Sequence, residues 1–280
     1  MRLFVDNLTN VDFSYLDARR GMLGETWLAS VELEGELDAQ GMVCDFGIVK
    51  RKLRDWLDAT IDHCLLVPAG SPALHHQLSE NQCNLQWRLA DGLCITCSSP
   101  AEAITLVDAT SITPESVASW CITQLKPLFP DSIDRLTLRF TPESISGPYY
   151  HYSHGLKKHA GNCQRIAHGH RSKIEIWRNG ELSIADMERW GREWQDIYIG
   201  SEDDLSRGNT DESTLHFAYQ AQQGHFSLTM PKDHCYLINT DSTVEFIAAH
   251  IAGRLKSETP ADTIRVKAYE GLAKGAICEL

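Results

Sequence analysis

Along residues 25–37, ETWLASVELEGEL, apolar and polar side chains alternate with a period of two, which predicts a strand with one buried face. SKIEIWRNGEL (172–182) alternates in the same way and then reaches Asn-Gly, which predicts a hairpin turn. The period changes in FGIVKRKLRDWLDATIDH (46–63), where Ile48, Val49, Leu53, Trp56, Leu57 and Ile61 fall near one helical face. SIADMERWGREWQDIY (183–198) opens on Ser and sets Trp190 and Trp194 four residues apart, again a helical spacing. Two more helical patterns, TPESVASWCITQL (113–125) and TVEFIAAHIAGRL (243–255), are each followed by a short alternating run ending in Glu. These runs are DRLTLRFTPE (134–143) and DTIRVKAYE (262–270).

The order of these elements repeats. IDHCLLVP (61–68) resembles KDHCYLIN (232–239), and in both cases the helix and the alternating run follow. Three features twice in one order predict an internal duplication with a long period. The spacing is unequal, so the first half carries an insertion at 69–103, read as a hairpin with loops. Each half then reads strand, strand, helix, loop or hairpin, helix, strand. That is an α+β unit, an antiparallel sheet with helices on one face. Gly147-Pro148 breaks the pattern and sets the expected boundary, giving halves 1–146 and 147–280.

A chain of 280 residues with 42% apolar and 23% charged content has room for two such units and the composition of a soluble globular protein. The net charge of −12 argues against nucleic acid or an anionic membrane as partner, because both need clustered Lys and Arg. A small anionic substrate would need a local basic pocket working against that field. No apolar run reaches the length of a signal peptide or a membrane span, which points to a cytoplasmic protein. Nine irregularly spaced cysteines read as free or functional thiols rather than a disulfide framework.

The densest chemistry lies in NCQRIAHGHRSKIEIW (162–177). In a strand, residues two apart point to one side, so His168 and His170 can reach one ion while Gly169 faces away. A catalytic zinc takes three protein ligands and keeps a fourth position open. His151, His154 and His159, just upstream, are candidates for the third. Cys163 could close the site as a fourth ligand, or act as a base beside the metal. Elsewhere, Cys94 and Cys97 form a lone Cys-x-x-Cys inside the insertion, read as two thiols on a hairpin. His75-His76 beside them is a weaker metal candidate. Lys157, Lys158, Arg165 and Arg171 cluster around the histidines.

These residues resemble a known family. Cys-x-x-x-x-His-Gly-His before a strand is similar to the 6-pyruvoyl-tetrahydropterin synthase / 6-carboxytetrahydropterin synthase family. YHYSHGL is similar to that family's segment bearing the first zinc ligand, matched here by His154. KDHCYLIN resembles its Leu-Asp-His-x-x-Leu-Asn, STVEFIA its Pro-Thr-x-Glu-Asn segment, and Glu270 its final glutamate. In the first half, MVCDFGIVKRKLRDWLDATIDHCLL resembles its Val-x-Asp-Phe-Gly-x-x-Lys…Asp-His stretch. The resemblance covers most of the chain, as two diverged tandem copies. Leu23 and Glu25 stand where the first copy would carry its histidines, so zinc is expected in the second half alone.

The resemblance implies the tunnelling fold, with sheets joined into a barrel by oligomerisation and active sites between neighbouring units. A homo-oligomer is therefore expected. It implies Zn²⁺ on His154, His168 and His170, holding the side-chain hydroxyls of 7,8-dihydroneopterin triphosphate. Cys163 would take a proton, assisted by Asp62-His63 or Asp233-His234. Glu270 would grip the pterin's amino-pyrimidine edge, with Glu143 its first-half counterpart, offset by one residue, and Glu245 a further carboxylate on the substrate side. Glu115 and Glu245 also stand in the first turns of predicted helices, where the dipole favours a carboxylate in any case. The implied reaction is a lyase step giving 6-carboxytetrahydropterin, on the queuosine-precursor route, or alternatively 6-pyruvoyltetrahydropterin. A pterin- or purine-binding protein without turnover, and a closed structural zinc site, are the competing readings. Four residues separate Cys163 from His168, between the spacings of the two enzyme branches.

Overall fold

The computed structural model describes residues 1–206 and 212–280. The first half is built on a long antiparallel hairpin, β1 (Arg2–Asp17) and β2 (Gly21–Gly35). Trp27, Ala29, Val31 and Leu33 of β2 point into a core while Leu28, Ser30, Glu32 and Glu34 are less buried, as the period-two pattern predicts. From Gly21 to Trp27 the alternation is lost and every residue is buried, because the second half of the chain covers the other face. Helix α1 (Phe46–Thr60) is capped by Asp45, whose carboxylate accepts from the Ile48 amide at 2.9 Å. It buries Val49, Leu53 and Leu57 on an i, i+4, i+8 stripe. Ile48, expected on that face, is 65% exposed, since the stripe is narrower than the sequence suggested.

Strand β3 (Leu65–Pro68) follows, then β4 (Leu74–Leu78), β5 (Gln82–Arg88), β6 (Cys94–Pro100) and β7 (Ile104–Val107). Helix α2 (Pro114–Leu125), with Thr113 and Ser116 in a reciprocal capping box, leads to β8 (Ile133–Pro142). The second half repeats the plan. It runs β9 (Tyr149–His154), β10 (His168–Arg178), β11 (Glu181–Leu182), α3 (Ile184–Glu193), β12 (Ile197–Ser201), β13 (Thr214–Ala221) and β14 (Gly224–Pro231). It ends with β15 (Cys235–Ile238), α4 (Val244–Glu258), β16 (Ile264–Tyr269) and β17 (Gly275–Glu279). Asn179 and Gly180 both have positive φ (51° and 84°), which is what the β10–β11 turn demands of Asn-Gly. Among the described residues no helix is long and apolar enough to cross a membrane.

Among the described residues the strands form three sheets, ordered β7-β3-β1-β2-β8, β15-β12-β9-β10-β16-β17, and β13-β14-β6-β5-β4. In each of the first two, the antiparallel hairpin is extended on one side by two parallel strands. The third sheet draws on both halves: Thr96, Cys97 and Ser98 of β6 pair with Thr229, Leu228 and Ser227 of β14. One core lies under each half's helices, and a third, holding Trp87, Tyr198, Phe217 and Phe226, is shared between the halves.

This topology corrects one equivalence drawn from sequence. IDHCLLVP leads into β3, which lies parallel to β1, and its counterpart by pairing is β12, parallel to β9. KDHCYLIN forms a 3-10 turn and β15, whose counterpart is β7, preceded by its own 3-10 turn Ala101–Ala103. The two Asp-His-Cys triplets are thus a local likeness at non-equivalent places. Nor is 69–103 peculiar to the first half, since β13 and β14 stand where β4, β5 and β6 do.

Candidate metal centre

Strands β9 and β10 pair so that His154 lies opposite His168 and Ser153 opposite Gly169. The hairpin β1–β2 has the same register, Ser14 opposite Gly24. The two hairpins meet at these residues: Ser14 Oγ is 2.7 Å from Ser153 Oγ, and both side chains are buried. A Cβ on Gly169 would stand 2.7 Å from the Gly24 Cα, and one on Gly24 would stand 1.9 Å from the Tyr152 carbonyl oxygen. Glycine is therefore required between the two histidines for the backbones of the two halves to touch.

The three imidazoles converge. His154 and His168 ring centroids are 4.4 Å apart, and His170 lies 5.3 Å and 5.7 Å from them. One ligand nitrogen from each falls within 4.8 Å of the others. His154 Nδ1 donates to the Ser242 carbonyl and His168 Nδ1 to the Arg165 carbonyl, both at 2.9 Å. A carbonyl can only accept, so each ring carries its proton on Nδ1 and turns a lone pair outward on Nε2. Both Nε2 atoms, and both nitrogens of His170, are buried without a hydrogen-bond partner. Burial, reinforced by the neighbouring rings, pushes His154 and His168 well below the usual histidine range, so they are neutral. Two buried, neutral imidazoles with carbonyl-fixed tautomers, beside a third that is buried and without a hydrogen-bond partner, are a donor set suited to a divalent transition-metal ion.

The first half contributes the rest of the cluster. His63 has φ +55° at the end of α1, held by its amide to the Asp12 carbonyl at 2.6 Å. Its Nδ1 meets Asp62 Oδ2 at 2.5 Å, and the other Asp62 oxygen accepts the Asp12 amide at 2.8 Å. Burial opposes charge on His63, but the hydrogen bonds to Asp62 and Cys163 raise it to about 10. Cys163, in the 3-10 turn Asn162–Gln164, forms a second group within 4.8 Å with His63 and His168. That turn is anchored to the third sheet, Tyr219 Oη donating to the Gln164 carbonyl at 2.8 Å.

Glu270 stands at the margin, Oε1 3.8 Å from His170 Nε2. Asp12, not singled out from sequence, is 1% exposed and has Oδ1 3.4 Å from His170 Nδ1. Thr26 Oγ1 donates to the same oxygen at 2.6 Å, and Lys274 Nζ is 3.3 Å from the other. Burial alone would raise the Asp12 carboxyl; His170, Lys274 and Thr26 instead hold it below the usual carboxylate range. Its sequence signal was a carboxylate inside the apolar run Val11-Asp-Phe13, which does not tell what it faces.

Other expected residues lie elsewhere. Asp233 and His234 belong to the turn before β15, with the His234 ring against Gly21, outside both metal-capable groups. Glu143 follows β8 with its amide on the Thr26 carbonyl; its Oε2 is buried and unpartnered, and burial raises its carboxyl. Glu115 and Glu245 are exposed in the first turns of α2 and α4. His151 donates Nδ1 to the Gly24 carbonyl, and His159 is exposed, accepting the Gly161 amide. Lys157 and Lys158 pair with Asp204 and Asp241, and Arg165 bonds Gln223 and the Cys64 sulfur. Cys94 and Cys97 share β6 three residues apart, hence on opposite faces; Cys97 is buried, its thiol pushed up to about 12 by burial. His75 and His76 are exposed on β4.

The sequence model of the 6-pyruvoyl tetrahydropterin synthase family matches residues 13–146 and again 147–279. Among curated proteins no match is found. Among solved structures, the 6-pyruvoyl tetrahydropterin synthase of Plasmodium vivax is 18% identical, with a TM-score of 0.38, over 51% of this chain and 98% of its own. That of Plasmodium falciparum is 16% identical, with a TM-score of 0.36, over 51% and 98%. An uncharacterized protein of Wolinella succinogenes is 20% identical, with a TM-score of 0.30, over 51% and 96%.

Proposed function

The chain belongs to the 6-pyruvoyl tetrahydropterin synthase family, and on that footing we propose that it is a zinc-dependent lyase acting on 7,8-dihydroneopterin triphosphate. One observation carries the reading: three buried imidazoles with unpartnered nitrogens stand beside a cysteine and an Asp-His pair. His154, His168 and His170 would hold the ion. A bound Zn²⁺ supplies Lewis acidity to the substrate's side-chain hydroxyls and so acidifies the neighbouring C–H.

The chain's own residues then divide the work. Cys163 is the base that accepts the carbon-bound proton. His63, in reach of Cys163 and itself charged near neutrality, supplies a proton rather than taking one, and Asp62 fixes its Nδ1–H and supports the imidazolium. Glu270 accepts N–H bonds from the amino-pyrimidine edge, which orients the ring beside His170. Asp233 and His234 have no part in this scheme. The compact second half favours 6-carboxytetrahydropterin as the product, with 6-pyruvoyltetrahydropterin the alternative that product analysis separates; the four residues between Cys163 and His168 do not choose between them. Copies of the chain are taken to assemble through the open edge strands β7, β8 and β15. Light scattering that finds monomer alone would remove that part of the reading.

The test is zinc content and turnover together. The wild type should hold about one zinc per chain, and His168→Ala/His170→Ala close to none. Cys163→Ala should keep its zinc and lose turnover of dihydroneopterin triphosphate. If Cys163→Ala instead loses zinc, the site is a closed structural one and the lyase reading fails. A zinc-loaded wild type that binds pterin without converting it would move the protein to the binding class.

A further inference from the structure

A second cleft, of about 650 Å³, opens between the start of β9, α3 and the β1–β2 turn; its chemistry rests on Arg20, Glu25, Tyr149, His151, Arg171 and Arg192. It is the counterpart of the metal centre. The matching registers make Tyr15, Leu23 and Glu25 equivalent to His154, His168 and His170. Asp196, with φ +59°, takes the place of His63, with φ +55°, ahead of its parallel strand. A metal's donor set is gone here, and guanidinium groups have come in.

Arg20 forks onto Asp196 at 2.7 and 2.5 Å, so its charge is met. The other two arginines are not matched so closely. The Arg171 Cζ lies 4.4 Å from the Tyr149 ring centroid, its Nε is buried without a partner, and its Nη1 makes one long hydrogen bond, to Glu25 Oε1 at 3.5 Å. Arg192 is largely exposed, with Glu188 at 3.8 Å. Burial raises Glu25 to about 7 in spite of Arg171, so near neutrality it cancels only part of that charge. His151 gives its Nδ1–H to the Gly24 carbonyl and burial keeps it neutral. A chain of net charge −12 has thus gathered three arginines in one cleft.

We propose that this cleft binds a phosphate-class oxyanion, a phosphomonoester or pyrophosphate group, without a metal, through Arg171 and Arg192. Guanidinium forks match the paired oxygens of phosphate, and the volume accommodates a small metabolite carrying one. The inference does not depend on the metal reading of the first site.

The test is calorimetric titration of the full chain with pyrophosphate and, separately, inorganic phosphate. Saturable binding at about one anion per chain is expected, weakened about tenfold in Arg192→Gln and further in Arg171→Gln, as loss of a charge-assisted hydrogen bond implies. Arg192 is exposed, so that variant should fold even if Arg171→Gln does not. Affinity should be unchanged in His168→Ala/His170→Ala. No saturable binding, or wild-type affinity retained in both arginine variants, overturns the proposal. So does binding that the histidine variant abolishes, because the anion would then sit on the metal.

Discussion

Asp12 lies in the first half, and the ring it steadies, His170, lies in the second. A carboxylate behind a metal-binding imidazole fixes ring orientation and raises ligand basicity. Asp12→Asn should therefore weaken zinc affinity about tenfold to a hundredfold in a chelator competition, with the fold retained. Glu25 gives a prediction in pH. Its carboxyl moves from 4.5 to about 7 on folding, so between those values the folded state holds more protons and stability falls as pH rises. His151 runs the other way, lowered from 6.5 to about 4, so it costs nothing above 6.5 and loses stability as pH falls toward 4. Glu25→Gln removes the first contribution only. Its advantage over wild type should be near zero below about pH 4.5 and grow to about 1–3 kcal/mol above about pH 7.5, read from denaturant midpoints. At this scale the histidines were legible in sequence because a strand's period of two is local. Asp12 was not, and neither was the choice of His63 over His234, because each depends on a partner fifty or more residues away.

Elements were easier to read than their equivalences. The alternation in β2 and β10, the α1 stripe and the Asn-Gly turn all follow from short-range periodicity. The two Asp-His-Cys triplets misled because identity of three residues carries no information about which strand they enter. Backbone contact gives the test at this scale. A methyl group at Gly24 would meet the Tyr152 carbonyl at 1.9 Å and the His170 amide at 2.4 Å, neither of which can turn away. Gly24→Ala should cost roughly 3 kcal/mol or more and disturb zinc binding through His170. Gly253, exposed in α4 with open space around it, is the control; Gly253→Ala should gain about 0.5–1 kcal/mol. Both are read by thermal melting, and equal effects at the two sites would contradict the back-to-back packing.

For the whole molecule, the repeat was visible in the order of elements, but the third sheet was not, since β6 and β14 meet across more than a hundred residues. That sheet and its shared core make the halves interdependent. Residues 147–280 expressed alone carry all three zinc-candidate histidines yet lack Asp12, His63 and β6, one of the two strands that pair with β14. That fragment should melt without a cooperative transition and bind zinc weakly, and co-expression with 1–146 should restore both. His63 and Cys163 belong to different structural units but to one covalent chain. Tethering makes their encounter intramolecular, at an effective concentration on the order of millimolar or higher. Dilution separates a base from its partner when they sit on different molecules; here it has nothing to separate. At a fixed free zinc concentration, zinc occupancy and the Cys163–His63 pair should therefore persist unchanged as the protein is diluted, even where any larger assembly has fallen apart.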